Sequence, residues 1–363
     1  MKTSRVTTAP ASGLASGLAS GLASGLASGL ASGLASGLTS GLTMGLASAL
    51  TLLSGAALAD EIRVLNWQGY GTDAEWALQA FTGATGHTVV HEYFTSEQEM
   101  LTKLRTNPGA YDVVLINSAF TAQAQAEGLL AAIDPATIAN FKDVDPGLAA
   151  NADLNPAGAL YGVPWTWGLT SFAVNTADFP TPPTSIAVLW DPAYKGRVSI
   201  RDDGLEAVKA KLTELMPQIS TYWGSENDWN QFMAAGELAV ATYWSGSAAR
   251  SISKGLPIAF VVPNEGSIGW LDGLSIPAGS THQAAAAAFI NWMIDPAFYV
   301  KWDAEGAPAT SNAVAAAALP ETSFNRKVLG DPAVVARVQF MKPVTDANRE
   351  AYLALWQALK AAQ

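Results

Sequence analysis

The chain has 363 residues, no cysteine and only three histidines, so several kinds of chemistry lack the side chains they need. Without cysteine there is no disulfide framework, no thiolate metal site, no catalytic thiol and no lipid-bearing cysteine after a signal segment. His87 and His91 would share a strand face, but no third ligand of matching type is near them, and His282 stands apart. We therefore expect no metal site.

Sequence motifs for cofactors and nucleophiles are also missing. There is no GxxxxGK[ST] loop, no GxSxG turn and no GxGxxG segment after a strand, so phosphate, hydrolase and dinucleotide sites lack a signature. The specialised groups that remain are carboxylates and aromatic rings, the latter including twelve tryptophans. This inventory predicts no cofactor and favours ligand capture over catalysis.

Basic residues are scarce compared with acidic ones. The chain has 20 Lys and Arg against 31 Asp and Glu, and the first 59 residues contain Lys2 and Arg5 but no acid. This balance argues against a nucleic-acid partner. It would help to concentrate a small cation near the surface, although simple solubility accounts for it equally well. With 49% hydrophobic and 14% charged residues, a chain of this length predicts two folded lobes.

The first 59 residues have the pattern of an export signal. Residues 12–38 repeat Ser-Gly-Leu-Ala, and an apolar run from Met44 ends in Ala57-Leu58-Ala59 before Asp60. A basic start, an apolar run and an A-x-A site are typical of a secretory signal peptide, so we expect a periplasmic protein that begins near Asp60. The unusual length indicates a repeat expanded within the signal or a start at Met44. A membrane helix is the rival interpretation, weakened by a glycine at every fourth position.

After the signal, strands and helices alternate. Residues 61–66 alternate polar with apolar side chains, residues 73–82 have helical spacing, and residues 111–116 form an apolar run typical of a buried strand. Such alternation predicts an α/β fold with a parallel sheet, whose ligands gather at the carboxyl ends of the strands. The candidate site residues at these ends are Trp67, Tyr70, Ser118 and Phe120.

Two crossings between the lobes are expected, at residues 163–168 and 273–277, where proline, glycine and tryptophan cluster around strand-like runs. They divide the chain into an N-terminal lobe of residues 60–165 and 275–309 and a C-terminal lobe of residues 166–274 and 310–363. We also expect a helix over 284–294 that ends before Asp295-Pro296, and a helical tail over 333–363.

Two acidic motifs could hold an organic cation. Asp203 and Glu206 lie three residues apart after a predicted strand, on one face of a first helical turn, although an ordinary helix cap explains the pair better when it is taken alone. Trp270 and Asp272 share a strand face, so an indole plane and a carboxylate would point into the same space. Their alternative is a half-buried Trp beside a surface Asp. Trp244 ends another strand and would add an aromatic wall, although core packing also explains a single tryptophan.

A glycosidase-like pair of carboxylates is the enzyme alternative. Asp203 and Asp272 could serve as acid and base in a cleft, in which case the chain would be a carboxylate-dependent hydrolase.

The ordered set of motifs resembles the periplasmic spermidine/putrescine-binding proteins of ABC importers. The motifs are Asn66-Trp67-x-x-Tyr70, Tyr111-Asp112-Val113-Val114, Pro164-x-x-Trp167-Gly168, Tyr194-Lys195-Gly196, Asp202-Asp203-x-x-Glu206, Trp244-x-Gly246-Ser247 and Trp270-x-Asp272-x-Leu274-x-Ile276-Pro277. The resemblance covers nearly all of the chain after the signal. It implies a type II periplasmic-binding-protein fold in which two lobes close over a linear polyamine without reaction. It also implies a monomer whose partner is the inner-membrane permease.

The resemblance assigns a role to each candidate residue. Trp67 and Tyr70 correspond to aromatic walls, Asp203 and Glu206 to the acids for one terminal ammonium, and Trp270 with Asp272 to stacking and charge partners. Ser118, Phe120 and Trp244 also fall on contact positions.

The sequence departs from the family at four places. Phe120 and Ala307 replace expected tyrosines, and Lys342 aligns with a ligand-binding glutamine, where a cation would repel a polyamine unless it points away. The segment between Glu206 and Trp244 is shorter than the family pattern by about one helix. These differences indicate a preference for putrescine, weaker binding or a different diamine. The same fold serving another cationic or zwitterionic solute, or a chemosensory receptor, is a separate alternative.

Overall fold

The structure is a computed structural model that describes residues 59–201 and 209–362. The segment interpreted as a signal peptide and the turn that contains Asp203 and Glu206 lie outside the described residues.

The described residues form one mixed sheet with helices around it. The strands are β1 (Glu61–Asn66), β2 (Thr88–Tyr93), β3 (Val113–Asn117), β4 (Val163–Asn175), β5 (Val198–Arg201), β6 (Ile219–Trp223), β7 (Val240–Trp244), β8 (Ile258–Val261), β9 (Ser267–Ser275), β10 (Ala309–Thr310) and β11 (Val338–Phe340). The helices are α1 (Glu75–Thr85), α2 (Glu97–Thr106), α3 (Ser118–Ala126), α4 (Pro146–Ala149), α5 (Lys209–Leu215), α6 (Glu226–Ala234), α7 (Ser245–Ser253), α8 (Gln283–Met293), α9 (Pro296–Asp303), α10 (Ala313–Ala318), α11 (Pro332–Val335) and α12 (Asp346–Ala361).

Two parallel groups of strands are joined by two long antiparallel strands. The sheet order is β2-β1-β3-β9-β4-β7-β5-β6, in which β1 is parallel to both neighbours and so is β5. Between these groups β9 is antiparallel to β3 and β4, and β4 is antiparallel to β7. The two strands β4 and β9 therefore lie between the parallel groups, and they contain residues 163–168 and 273–275, where the sequence predicts lobe crossings.

Strand β4 is the longer of the two crossing strands. It pairs with β9 from Val163 to Thr170 and with β7 and β8 from Thr170 to Asn175, and its register shifts between Pro164 and Thr166. A register shift of this kind bends and twists a strand locally. The irregularity lies at Trp165, where we expected the chain to leave the first lobe.

Apolar periodicity located most elements correctly. The predicted first strand matches β1, and the segments predicted as helices at 73–82 and 284–294 correspond to α1 and α8. The tail prediction was only partly right, because residues 333–363 contain the short helix α11, strand β11 and helix α12. Strand β11 forms by pairing with β9, a long-range contact that local periodicity does not carry.

The buried apolar side chains form separate clusters. The largest draws on residues 62–165 and 274–319, and three smaller clusters draw on residues 169–261 and 309–359. Ala315 of helix α10 and Leu319, which follows that helix, belong to the largest cluster. The division of the core thus follows the two parallel strand groups. In the part of the chain that is described, no helix has both the length and the apolarity to span a bilayer.

The contribution of the largest apolar cluster to stability can be tested at Phe81 on α1. Its ring is fully buried and meets Phe289 edge-on at 5.3 Å between centroids. We expect Phe81→Ala to lower the free energy of unfolding by about 3–5 kcal/mol, because the cavity cannot fully collapse. Val90→Ala, at an exposed strand position, should change it by less than about 1 kcal/mol. Urea denaturation measures both, and equal losses would contradict this assignment of the core.

Candidate functional site

A carboxylate lies where the two parallel groups meet. Asp272 on β9 stands directly opposite Asn117, the last residue of β3, in the antiparallel ladder. The Asn117 side-chain Nδ2 donates to Asp272 Oδ1 at 2.8 Å, and the Tyr70 hydroxyl donates to Oδ2 at 2.9 Å. Both oxygens are thus held by neutral donors from the carboxyl ends of β1 and β3, the edge that the parallel-sheet argument identified.

Burial sets the protonation of this carboxylate. Asp272 is 7% exposed, and this desolvation raises its pKa to about 6, although the hydrogen bonds from Asn117 and Tyr70 act in the opposite direction. Among the described residues no lysine or arginine forms a salt bridge with Asp272. Such a group gains most from a cation that brings its own charge to the site.

Tyr70 is fixed by its aromatic surroundings. Its ring meets Trp165 and Trp302 edge-on, with centroids 5.7 and 6.3 Å away. The following Gly71 has φ +83°, and a Cβ there would lie 2.3 Å from the Trp302 ring, so only glycine fits. Burial and the charge of Asp272 raise the pKa of Tyr70 well above its ordinary value, so the hydroxyl remains a donor. Thr166 Oγ1 lies 3.4 Å from the same hydroxyl.

Trp67 is half-buried at the end of β1, close to Tyr70 in sequence. Its ring contacts Phe94 edge-on at 4.6 Å between centroids, and it packs against the largest apolar cluster. One side of the indole is therefore fixed by the core, while the residue keeps an exposed part.

Trp270 lies beside Asp272 on β9 as the alternation predicted. It pairs across the ladder with Gly168 of β4, and a Cβ on Gly168 would lie 2.3 Å from the indole ring. The glycine therefore lets the ring lie against the neighbouring strand. The Trp270 Nε1 is buried and has no hydrogen-bond partner among the described residues. A buried indole N–H normally finds an acceptor, so this group is available to donate.

Ser118 and Phe120 begin α3 directly after β3, and both are buried. The Arg349 guanidinium of α12 lies 4.6 Å from the centroid of the Phe120 ring. This distance is within the range of a cation–π contact. A cation of the protein itself thus lies on a ring that the sequence assigned to a ligand.

Trp244 has the same kind of partner. The Arg201 guanidinium lies 4.2 Å from the Trp244 ring centroid, and the ring meets Trp223 edge-on at 5.2 Å. Two of the aromatic rings predicted to contact the ligand, Phe120 and Trp244, therefore have an arginine on one face.

The positions at which the sequence departs from the family have different surroundings in the structure. Ala307 is fully buried, and its carbonyl accepts from Asn325 Nδ2 at 2.9 Å. The Lys342 side chain is 76% exposed and its Nζ lies 3.4 Å from Asp153 Oδ2, so an acidic partner offsets its charge. The shortened segment, from residue 209 onwards, contains α5, β6, α6 and β7.

Sequence reasoning missed two residues of this site. Asn117 was passed over because an amide at a strand end carries no charge signal. Glu97 begins α2 three and four positions before the buried Met100 and Leu101, on the helix face that packs inward. Its Oε2 is buried without a hydrogen-bond partner among the described residues. A carboxylate in register with an apolar helix stripe was the signal that could have found it.

The histidines are engaged in other contacts. His87 accepts from the Asp60 backbone N–H, His91 Nε2 lies 3.2 Å from Thr72 Oγ1, and His282 Nδ1 lies 3.2 Å from Asp112 Oδ1. Within residues 59–201 and 209–362, no group of three or more potential metal ligands comes together.

Comparison with known proteins gives consistent matches. Residues 110–327 match a family model described as bacterial extracellular solute-binding protein. The spermidine/putrescine-binding periplasmic protein of Escherichia coli (strain K12) is 31% identical over 344 residues, covering 87% of this chain and 97% of that protein. A putrescine/cadaverine-binding protein of Pseudomonas aeruginosa is 25% identical over 347 residues, covering 85% and 97%.

Solved structures share the fold. The spermidine/putrescine ABC transporter substrate-binding protein PotD from Streptococcus pneumoniae superposes with a TM-score of 0.74 at 22% identity, covering 84% of this chain and 99% of that one. A lipoprotein of Treponema pallidum gives a TM-score of 0.70 at 23% identity, covering 83% and 99%.

The raised pKa of Asp272 predicts that replacing it by a neutral residue increases the free energy of unfolding, by an amount that depends on pH. The folded pKa of about 6 lies above the reference value of 3.8, so the cost of burying the charge is absent below about pH 4 and complete above about pH 6. We expect Asp272→Asn to become more stable relative to the unmodified chain by about 3 kcal/mol between pH 4 and 7. Urea denaturation without ligand measures this, with the exposed Asp228→Asn as control. A pH-independent difference would contradict the buried charge.

Proposed function

This chain belongs to the family of bacterial extracellular solute-binding proteins, and from that membership we propose that it captures a polyamine for an ABC importer. The predicted two-lobe α/β fold of the type II periplasmic binding proteins is confirmed. The proposed place of action is the periplasm, and the proposed partner is an inner-membrane permease to which a monomer delivers spermidine or putrescine.

The observation that carries the proposal is the state of Asp272. A buried carboxylate with its oxygens held by Tyr70 and Asn117, and with a raised pKa, is stabilised by an incoming ammonium. Indole and phenol rings beside it suit the methylene groups of a linear amine and attract its charge. The names of the matched relatives, which bind spermidine, putrescine or cadaverine, agree with this chemistry.

We propose the same ligand-binding residues as the sequence did. Around Asp272 these are Trp67, Tyr70 and Trp270, and on the neighbouring elements they are Ser118, Phe120 and Trp244. Asp203 and Glu206 keep their proposed role for the second ammonium, which the resemblance alone supports. The family is one of binding proteins, and we propose no reaction.

The lobes are proposed to move about β4 and β9. The proposed division assigns residues 60–165 and 275–309 to one lobe and residues 166–274 and 310–363 to the other. The separate apolar clusters support the division near residues 165 and 274, as does the register shift at Trp165. Ala315 and Leu319 are the exception, because they pack in the largest cluster. Closure would exclude water from Asp272 and strengthen each charge contact.

A direct test is calorimetric titration of residues 60–363 with spermidine and putrescine after unfolding and refolding to remove bound ligand. We expect stoichiometric binding that Asp272→Asn weakens by at least about 30-fold, because truncating a buried charge pair is costly. Asp228→Asn removes the same charge at an exposed position and should leave affinity within about threefold. Binding of neither amine by the unmodified chain would refute the proposal.

A zwitterionic solute is the second candidate, because Arg349 lies on Phe120 near the acidic site. A solute with an amine for Asp272 and a carboxylate for the guanidinium would use both groups.

Putrescine and 4-aminobutyrate separate the candidates, since they differ in one end group. We expect putrescine to bind at least about tenfold more tightly, because the carboxylate of 4-aminobutyrate would meet a predominantly acidic site. The reverse order, abolished by Arg349→Gln, would establish the zwitterion instead. Titration of both solutes against both chains gives the answer.

A further inference from the structure

Helix α2 begins with the carboxylate of Glu97, which takes no part in capping the helix. Ser96 caps this helix by accepting from the Glu99 backbone N–H at 3.2 Å, and the Glu99 carboxylate accepts from the Thr95 backbone N–H at 2.8 Å. The capping groups are therefore already in place. Glu97, the first helical residue, takes no part in them, although the inward position of its side chain buries Oε2.

Glu97 shares its surroundings with Asp272. The Asn117 side-chain amide donates to Asp272 at 2.8 Å, and the Asn117 backbone acts to lower the pKa of the Glu97 carboxyl group. Glu97 also senses the negative charge of Asp272 and the positive charge of Arg349. Strands β2 and β3 are both parallel to β1, so Glu97 at the start of the helix after β2 lies at the same carboxyl edge of the sheet as Asn117 at the end of β3.

A buried carboxylate oxygen without a donor is costly to keep unless something compensates it. Glu97 meets this cost in the ligand-free chain by holding a proton, since burial and the nearby Asp272 raise its pKa to about 8. Arg349 and the Asn117 backbone act against this rise but do not cancel it. The group is therefore mostly neutral at pH 7, and a cation placed beside it would ionise it.

Resting on the proposed function, we propose that Glu97 is an additional ligand-binding residue, whose Oε2 accepts a hydrogen bond from the ammonium of the polyamine held at Asp272. On binding, the Glu97 carboxyl group gives up its proton to solvent, and the resulting carboxylate pairs with the intact ammonium. Charge and protons balance, because one proton leaves for each ligand bound.

The proposal predicts that the affinity for polyamine rises with pH. The groups that act on Glu97 among the described residues are Asp272 and Arg349, and Tyr70 beside Asp272 stays protonated throughout. Below pH 8 the ligand must displace the Glu97 proton, so affinity should rise about tenfold per pH unit from 6 to 8 and then level off. Below about pH 6 Asp272 adds a second proton to the linkage.

The experiment is calorimetric titration of the refolded chain with putrescine and spermidine at pH 6, 7 and 8.5. Repeating the pH 7 titration in buffers of different ionisation enthalpy counts the protons released. We expect about one proton released at pH 7. We expect Glu97→Gln to release almost none, to lose the rise between pH 6 and 8, and to bind about 10- to 100-fold more weakly at pH 8.5.

Glu75→Gln is the matched control, since Glu75 is the first residue of α1 as Glu97 is of α2, and it is exposed. It removes the same helix-terminal charge and should bind as the unmodified chain does. Wild-type affinity and proton release in Glu97→Gln would overturn this inference while leaving the proposed function intact. An unmodified chain that binds polyamine without releasing a proton at pH 7 would also overturn it, even if the variant failed to fold. Absence of polyamine binding altogether would instead refute the function on which it rests.

Discussion

The pairing of Asp272 with Asn117 across strands β3 and β9 is the constraint on which the site depends. It places a carboxylate at the seam between two groups of parallel strands, and it fills one carboxylate oxygen with an uncharged donor. Tyr70 fills the other oxygen from the loop after β1. Every partner is neutral, so the buried charge is oriented but not neutralised. An organic cation bound there can then supply the positive charge that none of these partners provides.

The sequence revealed the elements and the type of site more readily than the detailed contacts. Alternating polarity located β1, and the spacing of Trp270 and Asp272 correctly put both on one strand, because these are local patterns. The pairing of β11 with β9 depends on residues about seventy positions apart, and the role of Asn117 depends on cross-strand register. Neither of these contacts can be predicted from local periodicity, because both depend on strand register.

The arginines that contact Phe120 and Trp244 show why a role cannot be assigned to a residue without its neighbours in the fold. Both rings were assigned to a ligand from sequence, and each has a guanidinium of the protein on one face. The cations come from α12 and the end of β5, elements distant in sequence from the rings they cover. An acidic, aromatic site thus contains positive charge as well, and the balance between the two tunes which solutes are tolerated.

The crossing strands limit how the molecule can change shape. Strand β4 is paired along its length, first with β9 and then with β7 and β8, and an antiparallel ladder can alter its twist while its hydrogen bonds stay intact. Rotation of one strand group against the other would then twist the paired strands together, whereas a flexible linker would let the groups move in any direction. In the proposed closure, a paired ribbon of this kind would offer a docking protein a narrower range of closed geometries than a loose linker would.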